Sequence, residues 1–178
     1  MFKGIANAAH HSDETVTPWR PTVLRQVVWL IGCITVCLAV AGVGAAATAT
    51  SVNGWYQTLN KPSWNPPDWL FGPVWTTLFV MMGVAAWLAW RRDGWLSART
   101  AMIWFGIQLA LNMLWSVLFF GLQSPGLAFA EILVLWMAIV ATVLAICERT
   151  VGGALLLTPY LAWTTFAAVL NFTIWRLN

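Results

Sequence analysis

The side chains best suited to chemistry in this chain recur at helical spacing. Gln108, Asn112, Trp115 and Ser116 fall at i, i+4, i+7 and i+8, which places them on one face of a helix. Trp163, Ala167, Leu170 and Asn171 repeat that spacing, and Trp75 and Phe79, extended by Gly72 and Gly83, form a third row. An amide without a partner is costly in hydrocarbon, so Gln108, Asn112 and Asn171 are expected to face the inside of a helical bundle. There they either bond one helix to the next or line a binding cavity, and the residues alone favour the first. Conventional catalysis finds no support. The apolar runs hold no Ser-His-Asp set, no paired carboxylates and no metal cluster, the constellations that acid–base and nucleophilic reactions need.

The remaining reactive groups are sparse. Glu131 is the one acid inside an apolar run. An intramembrane carboxylate is a functional candidate; the alternative is a protonated or interface-reaching side chain near a helix end. Cys33, Cys37 and Cys147 also lie in apolar runs, and their odd number and Cys-x-x-x-Cys spacing match no zinc or thioredoxin pattern. Cys33 and Cys37 share a helix face and read as small buried hydrophobes. His10 and His11 stand together in a polar tail without further ligands, so no metal site is expected.

The elements that must position these groups are membrane spans. Of the 178 residues, 60% are hydrophobic, only 8% are charged and 14 are tryptophan. A soluble domain carries about a quarter charged residues, and tryptophan belts mark bilayer interfaces. The fold class is therefore an all-α integral membrane protein in contact with the lipid bilayer. The net charge of +3 is scattered, which excludes nucleic acid as a partner. Residues 1–22 read as a polar tail and residues 23–178 as one five-helix transmembrane domain. Helices are expected over about Val23–Thr50, Pro66–Trp90, Ser97–Phe120, Leu127–Cys147 and Ala154–Arg176, each long enough for a hydrocarbon core of about 30 Å. Ala45-Ala46-Ala47 resembles a signal-cleavage site, but the preceding run is too long for a signal peptide, so the first helix is expected to be retained. Gly42 and Gly44 give that helix a smooth side. Pro73 is expected to bend the second helix, and Arg91-Arg92-Asp93-Gly94 reads as a polar turn.

Between the first two helices lies a lid, Trp55 to Trp69, with three prolines and three tryptophans in fifteen residues. Pro62, Pro66 and Pro67 fix φ, remove donors and hold the preceding residues extended, so no ordinary helix is expected there. Asn65 reads as the N-cap of the second helix with Pro66 at its first position. Lys3, Arg20, Arg25, Arg91, Arg92, Arg99 and Arg149 fall on one side of the membrane, and only Lys61 and Arg176 on the other. If the host membrane obeys the positive-inside rule, the N-terminus is cytoplasmic and the lid and C-terminus lie opposite.

Three stretches then resemble the TspO/MBR family, the tryptophan-rich sensory proteins of bacteria and the translocator protein (peripheral benzodiazepine receptor) of mitochondria. The first is Trp55-Tyr56-x2-Leu59-x-Lys61-Pro62-x-Trp64-Asn65-Pro66-Pro67-x-Trp69-x-Phe71-Gly72-Pro73-Val74-Trp75-Thr76. The second is Gln108-Leu109-x2-Asn112-x2-Trp115-Ser116-x2-Phe119-Phe120-Gly121, resembling the family's third helix. The third is Pro159-Tyr160-Leu161-x-Trp163-x2-Phe166-Ala167-x2-Leu170-Asn171-x3-Trp175-x-Leu177-Asn178, resembling its fifth. The resemblance covers about residues 23–178.

The resemblance implies a five-helix bundle, often dimeric, with a ligand cavity beneath the lid. It implies binding of tetrapyrroles such as protoporphyrin IX and of benzodiazepine-type ligands, with sterol binding and a light-dependent porphyrin breakdown in some members. The implied ligand-binding residues are Trp55, Tyr56, Trp75, Phe79, Asn112, Trp115, Ser116, Trp163 and Ala167. Lys61, Pro62, Trp64, Asn65, Pro66 and Pro67 form the lid, and Trp75 and Trp163 are the reacting groups if porphyrin is degraded. A porphyrin would stack on the two indoles, with Ala167 leaving room and its carboxylates meeting Lys61 and the polar tips of Trp55 and Tyr56. No histidine lies in any span, which favours a metal-free porphyrin or non-histidine ligation. No cofactor is required. The cholesterol pattern is imperfect, with Phe172 between Leu170 and Arg176 where tyrosine belongs. Gly106-x-x-x-Ala110 suits a close helix contact, within one chain or across a homodimer. Three readings follow: a tetrapyrrole-binding protein for sensing or transport, a light-dependent porphyrin-degrading enzyme, and a sterol-binding membrane scaffold.

Overall fold

The computed structural model describes residues 20–178, apart from the side chain of Asp93. The expected polar tail, with Lys3, His10 and His11, lies outside the described residues up to residue 19. Among the described residues, five helical spans are long and apolar enough to cross a membrane. Span 1 is α1 (Val23–Val52), followed by a single turn, α2 (Trp55–Thr58). The next helix, α3 (Asp68–Ser116), contains two spans, Asp68–Arg92 (span 2) and Gly94–Gly121 (span 3), the latter closing in a π-helical turn, Val117–Gly121. Spans 4 and 5 are α4 (Pro125–Cys147) and α5 (Val151–Leu177). Even the shortest span, 23 residues, reaches about 35 Å at 1.5 Å per residue, beyond the hydrocarbon thickness. The chain is a multi-pass integral membrane protein whose described residues build an all-helical fold.

The junctions depart from expectation in instructive ways. The lid opens with one helical turn, Trp55–Thr58, because every proline of the stretch comes after it. Span 2 starts at Asp68, not Pro66, and Asn65 does not cap it. Pro66 precedes a proline and is thereby kept extended, and Pro67, the N-cap, holds an extended φ/ψ of −58°/139°, so the helix begins only past the Pro-Pro pair. The expected turn at residues 91–94 shrinks to a single residue: helix runs through Arg92, and Gly94 alone breaks it at φ 75°, ψ −177°. That region is open only to glycine. Span 3 ends by widening into the π-turn, where the Leu122 N–H bonds the Val117 carbonyl over 2.8 Å. The hydroxyl of Ser51 donates to the Phe120 carbonyl over 2.7 Å and ties span 1 to that turn.

Span 1 is the outer helix. Its buried residues are Cys37, Gly44 and Ser51, seven apart, so a thin seam of small groups meets the bundle. Opposite the same helix, a Cβ built on Gly83 would lie 2.8 Å from the Ile34 Cα; only glycine lets spans 1 and 2 approach this closely. Gly42, by contrast, has nothing within 4 Å of a Cβ and faces outward. Spans 2 to 5 enclose the main core around Met82, Ala85, Ala89, Leu135, Ile139 and Leu157. Tyr56, Phe119, Ala128, Leu170 and Ile174 form a second cluster at the lid end. Around the Gly94 corner, Trp29 stacks on Trp90 at 4.8 Å and meets Trp95 at 6.1 Å.

Of the three cysteines, Cys37 is buried, Cys33 half-buried and Cys147 exposed, so the buried-hydrophobe reading does not extend to Cys147. Gly106 and Ala110 lie on the exposed side of span 3, and nothing stands within 4 Å of a Cβ at Gly106. Packing inside this chain is therefore not what the pair serves.

Candidate functional site

A cavity of about 440 Å3 opens between spans 1, 2, 3 and 5 beneath the lid, within the range of small-molecule sites. Each wall follows from the helix that builds it. Span 1 contributes small side chains, Ala41, Gly44, Ala45, Thr48 and Ala49, leaving space that larger residues would fill. Gly44 sits against Ser116, whose Oγ would be 3.3 Å from an added Cβ. Span 2 contributes Phe71, Gly72, Trp75 and Phe79, its third and fourth neighbours forming one face. Span 3 contributes Asn112, Trp115, Ser116 and Phe119, and span 5 contributes Trp163, Ala167, Leu170 and Asn171.

The aromatic walls are locked by their neighbours. Trp75 meets Tyr160 edge-on at 6.2 Å and tilts against Phe79 at 5.9 Å. Trp163 is met edge-on by Phe71 at 5.9 Å and lies 5.4 Å from Phe166, which Trp64 of the lid covers at 5.9 Å. Such offset and edge-to-face pairs fix ring orientation as well as burying area.

The amides both join helices and face the cavity. Asn112 Nδ2 donates to the Tyr160 hydroxyl over 3.0 Å, linking spans 3 and 5. Trp115 Nε1 donates to Asn171 Oδ1 over 3.0 Å, and Asn171 Nδ2 donates to the Pro125 carbonyl over 2.8 Å, joining spans 3, 5 and 4. The buried indole N–H of Trp163 has no hydrogen-bond partner.

Two inward-facing polar residues do not reach the cavity. Gln108 is 1% exposed and makes no side-chain hydrogen bond; one turn before Asn112 on span 3, it lies outside the cavity lining. Glu131 is 8% exposed with both oxygens unpartnered. It is turned into the bundle, so the interface-reaching alternative does not hold, and it too is absent from the lining.

The lid differs most from expectation. Tyr56 lines the cavity, but Trp55 does not; it packs edge-on against Phe119 at 5.7 Å. Lys61 does not line it either. Its Nζ donates to the Tyr56 carbonyl over 2.8 Å and stands 4.4 Å above the Tyr56 ring, a cation–π contact that holds the charge behind the tyrosine. Asn65 Oδ1 accepts from the Tyr56 hydroxyl over 3.1 Å, and its Nδ2 donates to the Pro66 carbonyl. Burial, seconded by the nearby Asp68 carboxylate, pushes the Tyr56 phenol up to about 12. Asn178 closes the lid from the far end: its Oδ1 accepts from the Asn60 N–H over 2.9 Å and its Nδ2 donates to the Asn60 carbonyl over 3.1 Å.

Sequence reasoning missed several lining residues, among them Thr48, Asn53, Thr76 and, most consequentially, Asp68. Among the described residues that line the cavity, it is the one charged side chain. Gln57 Nε2, itself bonded to the Val52 carbonyl over 2.9 Å, donates to Asp68 Oδ2 over 2.7 Å. The signal was present: Asp68 stands seven residues before Trp75, two helical turns back along the same face.

Similarity to known proteins is extensive. The profile of the TspO/MBR family matches residues 33–176. The chain is 46% identical over 158 residues to the tryptophan-rich protein TspO of Chlorobaculum tepidum, covering 86% of this chain and 98% of that protein. It is 37% identical over 164 residues to the human translocator protein, covering 90% and 92%. A tryptophan-rich sensory protein of Cereibacter sphaeroides is 38% identical over 141 residues, covering 78% and 87%.

Proposed function

The chain belongs to the TspO/MBR family, and from that premise we propose that its cavity binds a tetrapyrrole such as protoporphyrin IX, in sensing or transport of porphyrins and related apolar ligands. The observation that carries this reading is the convergence of Trp75, Trp115 and Trp163 from three spans on one cavity. Flat indole faces suit a flat, largely apolar ring, and a few polar groups orient it. Benzodiazepine-type ligands, also apolar and aromatic, suit the same walls.

A dark Soret-band titration of the purified protein with protoporphyrin IX tests the reading. Saturable binding is expected, weakened at least tenfold by Trp163→Ala, about 1.4 kcal/mol. Equal binding by both proteins, or non-saturating partition into detergent, would remove it. The same indoles motivate a second reading, light-dependent porphyrin degradation. Loss of photobleaching in Trp75→Phe or Trp163→Phe with dark binding intact would favour the enzyme. A sterol-binding scaffold has less support, since Phe172 packs on Phe129 and Trp175 away from the cavity lining. The lysine and arginine asymmetry supports a cytoplasmic N-terminus with the lid opposite. The exposed Gly106 and Ala110 support a homodimer contact on span 3.

A further inference from the structure

The charge at the cavity mouth has the opposite sign to that expected for a carboxylate ligand. Lys61, the base nearest in sequence to the cavity, is drawn away from it by the Tyr56 carbonyl and ring. Asp68 takes the place at the wall, and no lysine or arginine is among the described residues lining the cavity. Gln57 fixes one carboxylate oxygen of Asp68, and Asp68 is exposed at the cavity lining. Asn53, Thr48 and Thr76 are uncharged polar members of the same lining.

We infer that Asp68 is a specificity-determining residue, making the cavity select a tetrapyrrole whose outer edge is uncharged or bears hydrogen-bond donors over one that carries ionised carboxylates. The inference rests on the tetrapyrrole reading above and sharpens its ligand class. Apolar walls and stacking serve a free acid and its ester alike. The mouth does not: a carboxylate brought beside the exposed Asp68 meets a like charge, a repulsion that added salt screens. An N–H or O–H at the same place finds an acceptor. Asp68 also opens span 2, where an acid in the first turn suits the helix dipole. That structural role is indifferent to the ligand, so a comparison between two ligands separates the roles.

The test is a dark titration of the full-length protein in detergent with protoporphyrin IX and, separately, with its dimethyl ester. The quantity read is the ratio of the two dissociation constants in each protein, because detergent partition cancels when that ratio is compared between variants. Asp68→Asn is expected to shift the ratio toward the free acid at least about fivefold, by tightening the acid and leaving the ester unchanged. Asp68→Ser, which keeps a polar residue at the helix start, is expected to do the same. Raising salt should shift the wild-type ratio in the same direction and have less effect on Asp68→Asn. Lys61→Ala should leave the ratio unchanged. An unaltered ratio in both Asp68 variants, or selective weakening of the acid by Lys61→Ala, would overturn the inference while leaving the tetrapyrrole reading standing. If neither ligand saturates, or Trp163→Ala changes neither, the tetrapyrrole reading fails and the inference falls with it.

Discussion

The indole nitrogen of Trp115 donates to the side-chain oxygen of Asn171 over 3.0 Å, and the amide of Asn171 passes on to the Pro125 carbonyl over 2.8 Å. One side chain on span 5 therefore fixes an aromatic wall of the cavity and the start of span 4. Asn171→Ala removes both bonds and leaves the Trp115 N–H without its partner, which should destabilise the protein by about 1–3 kcal/mol. Asn112→Ala breaks the single bond to Tyr160 and should lower the thermal midpoint less. Thermal unfolding of the two variants in one detergent gives the comparison, and the reverse order would contradict the network.

Close backbone approach makes a second set of expectations. Gly83→Ala would bring a Cβ to 2.8 Å from the Ile34 Cα and 3.0 Å from its backbone nitrogen. Backbone cannot swing aside as a side-chain tip can, so span 1 must shift, at about 1–3 kcal/mol. Gly94→Ala forces a side chain into a glycine-only conformation and should lose a similar amount. Gly42→Ala, in open space, should be neutral or slightly stabilising. Chemical or thermal denaturation of the three variants checks the contrast.

Tyr56 should ionise late. Its phenol is pushed up to about 12 by burial and the Asp68 carboxylate, so between about pH 10 and 12 the unfolded chain loses this proton first. The sign follows: Tyr56 contributes stability below pH 10 that disappears as pH rises toward 12. The chain holds two tyrosines, so phenolate absorbance in Tyr160→Phe reports Tyr56 alone. Its midpoint should lie well above that of free tyrosine and fall in the Asp68→Asn background. A midpoint near 10 would show that Tyr56 is not enclosed as described.

The lid should loosen when its far clasp is cut. Asn178 bonds both the N–H and the carbonyl of Asn60, pairing with the loop much as a neighbouring strand would. Asn178→Ala should leave the spans intact and hasten limited proteolysis between Leu59 and Trp69. Unchanged cleavage would mean that Lys61 and Asn65, through Tyr56, suffice to hold the lid.

Some of this architecture is local and was legible in the chain. A run of apolar residues longer than the bilayer is thick must span it, and prolines clustered after Lys61 must interrupt a helix. Helical period alone puts Asn112 beside Trp115 and Ser116, and Trp163 beside Ala167. The same period could not separate Gln108 from Asn112. They lie one turn apart on one face, yet Asn112 lines the cavity and Gln108 does not. Nor could it choose between helix-bonding amides and a binding site, because Asn112 and Asn171 are both at once. The length of the turn at Gly94 and the retreat of Lys61 onto Tyr56 were equally hidden. These depend on how closely helices approach, at places such as Gly83 against Ile34, and on which of several nearby groups a flexible charge finds first. Periodicity fixes the face a residue occupies; depth along the bundle and the partner across the gap are set only when the spans pack. Asp68 is the sharpest instance: its place seven residues before Trp75 is written in the chain, but its place at an otherwise uncharged cavity mouth exists only in the folded bundle.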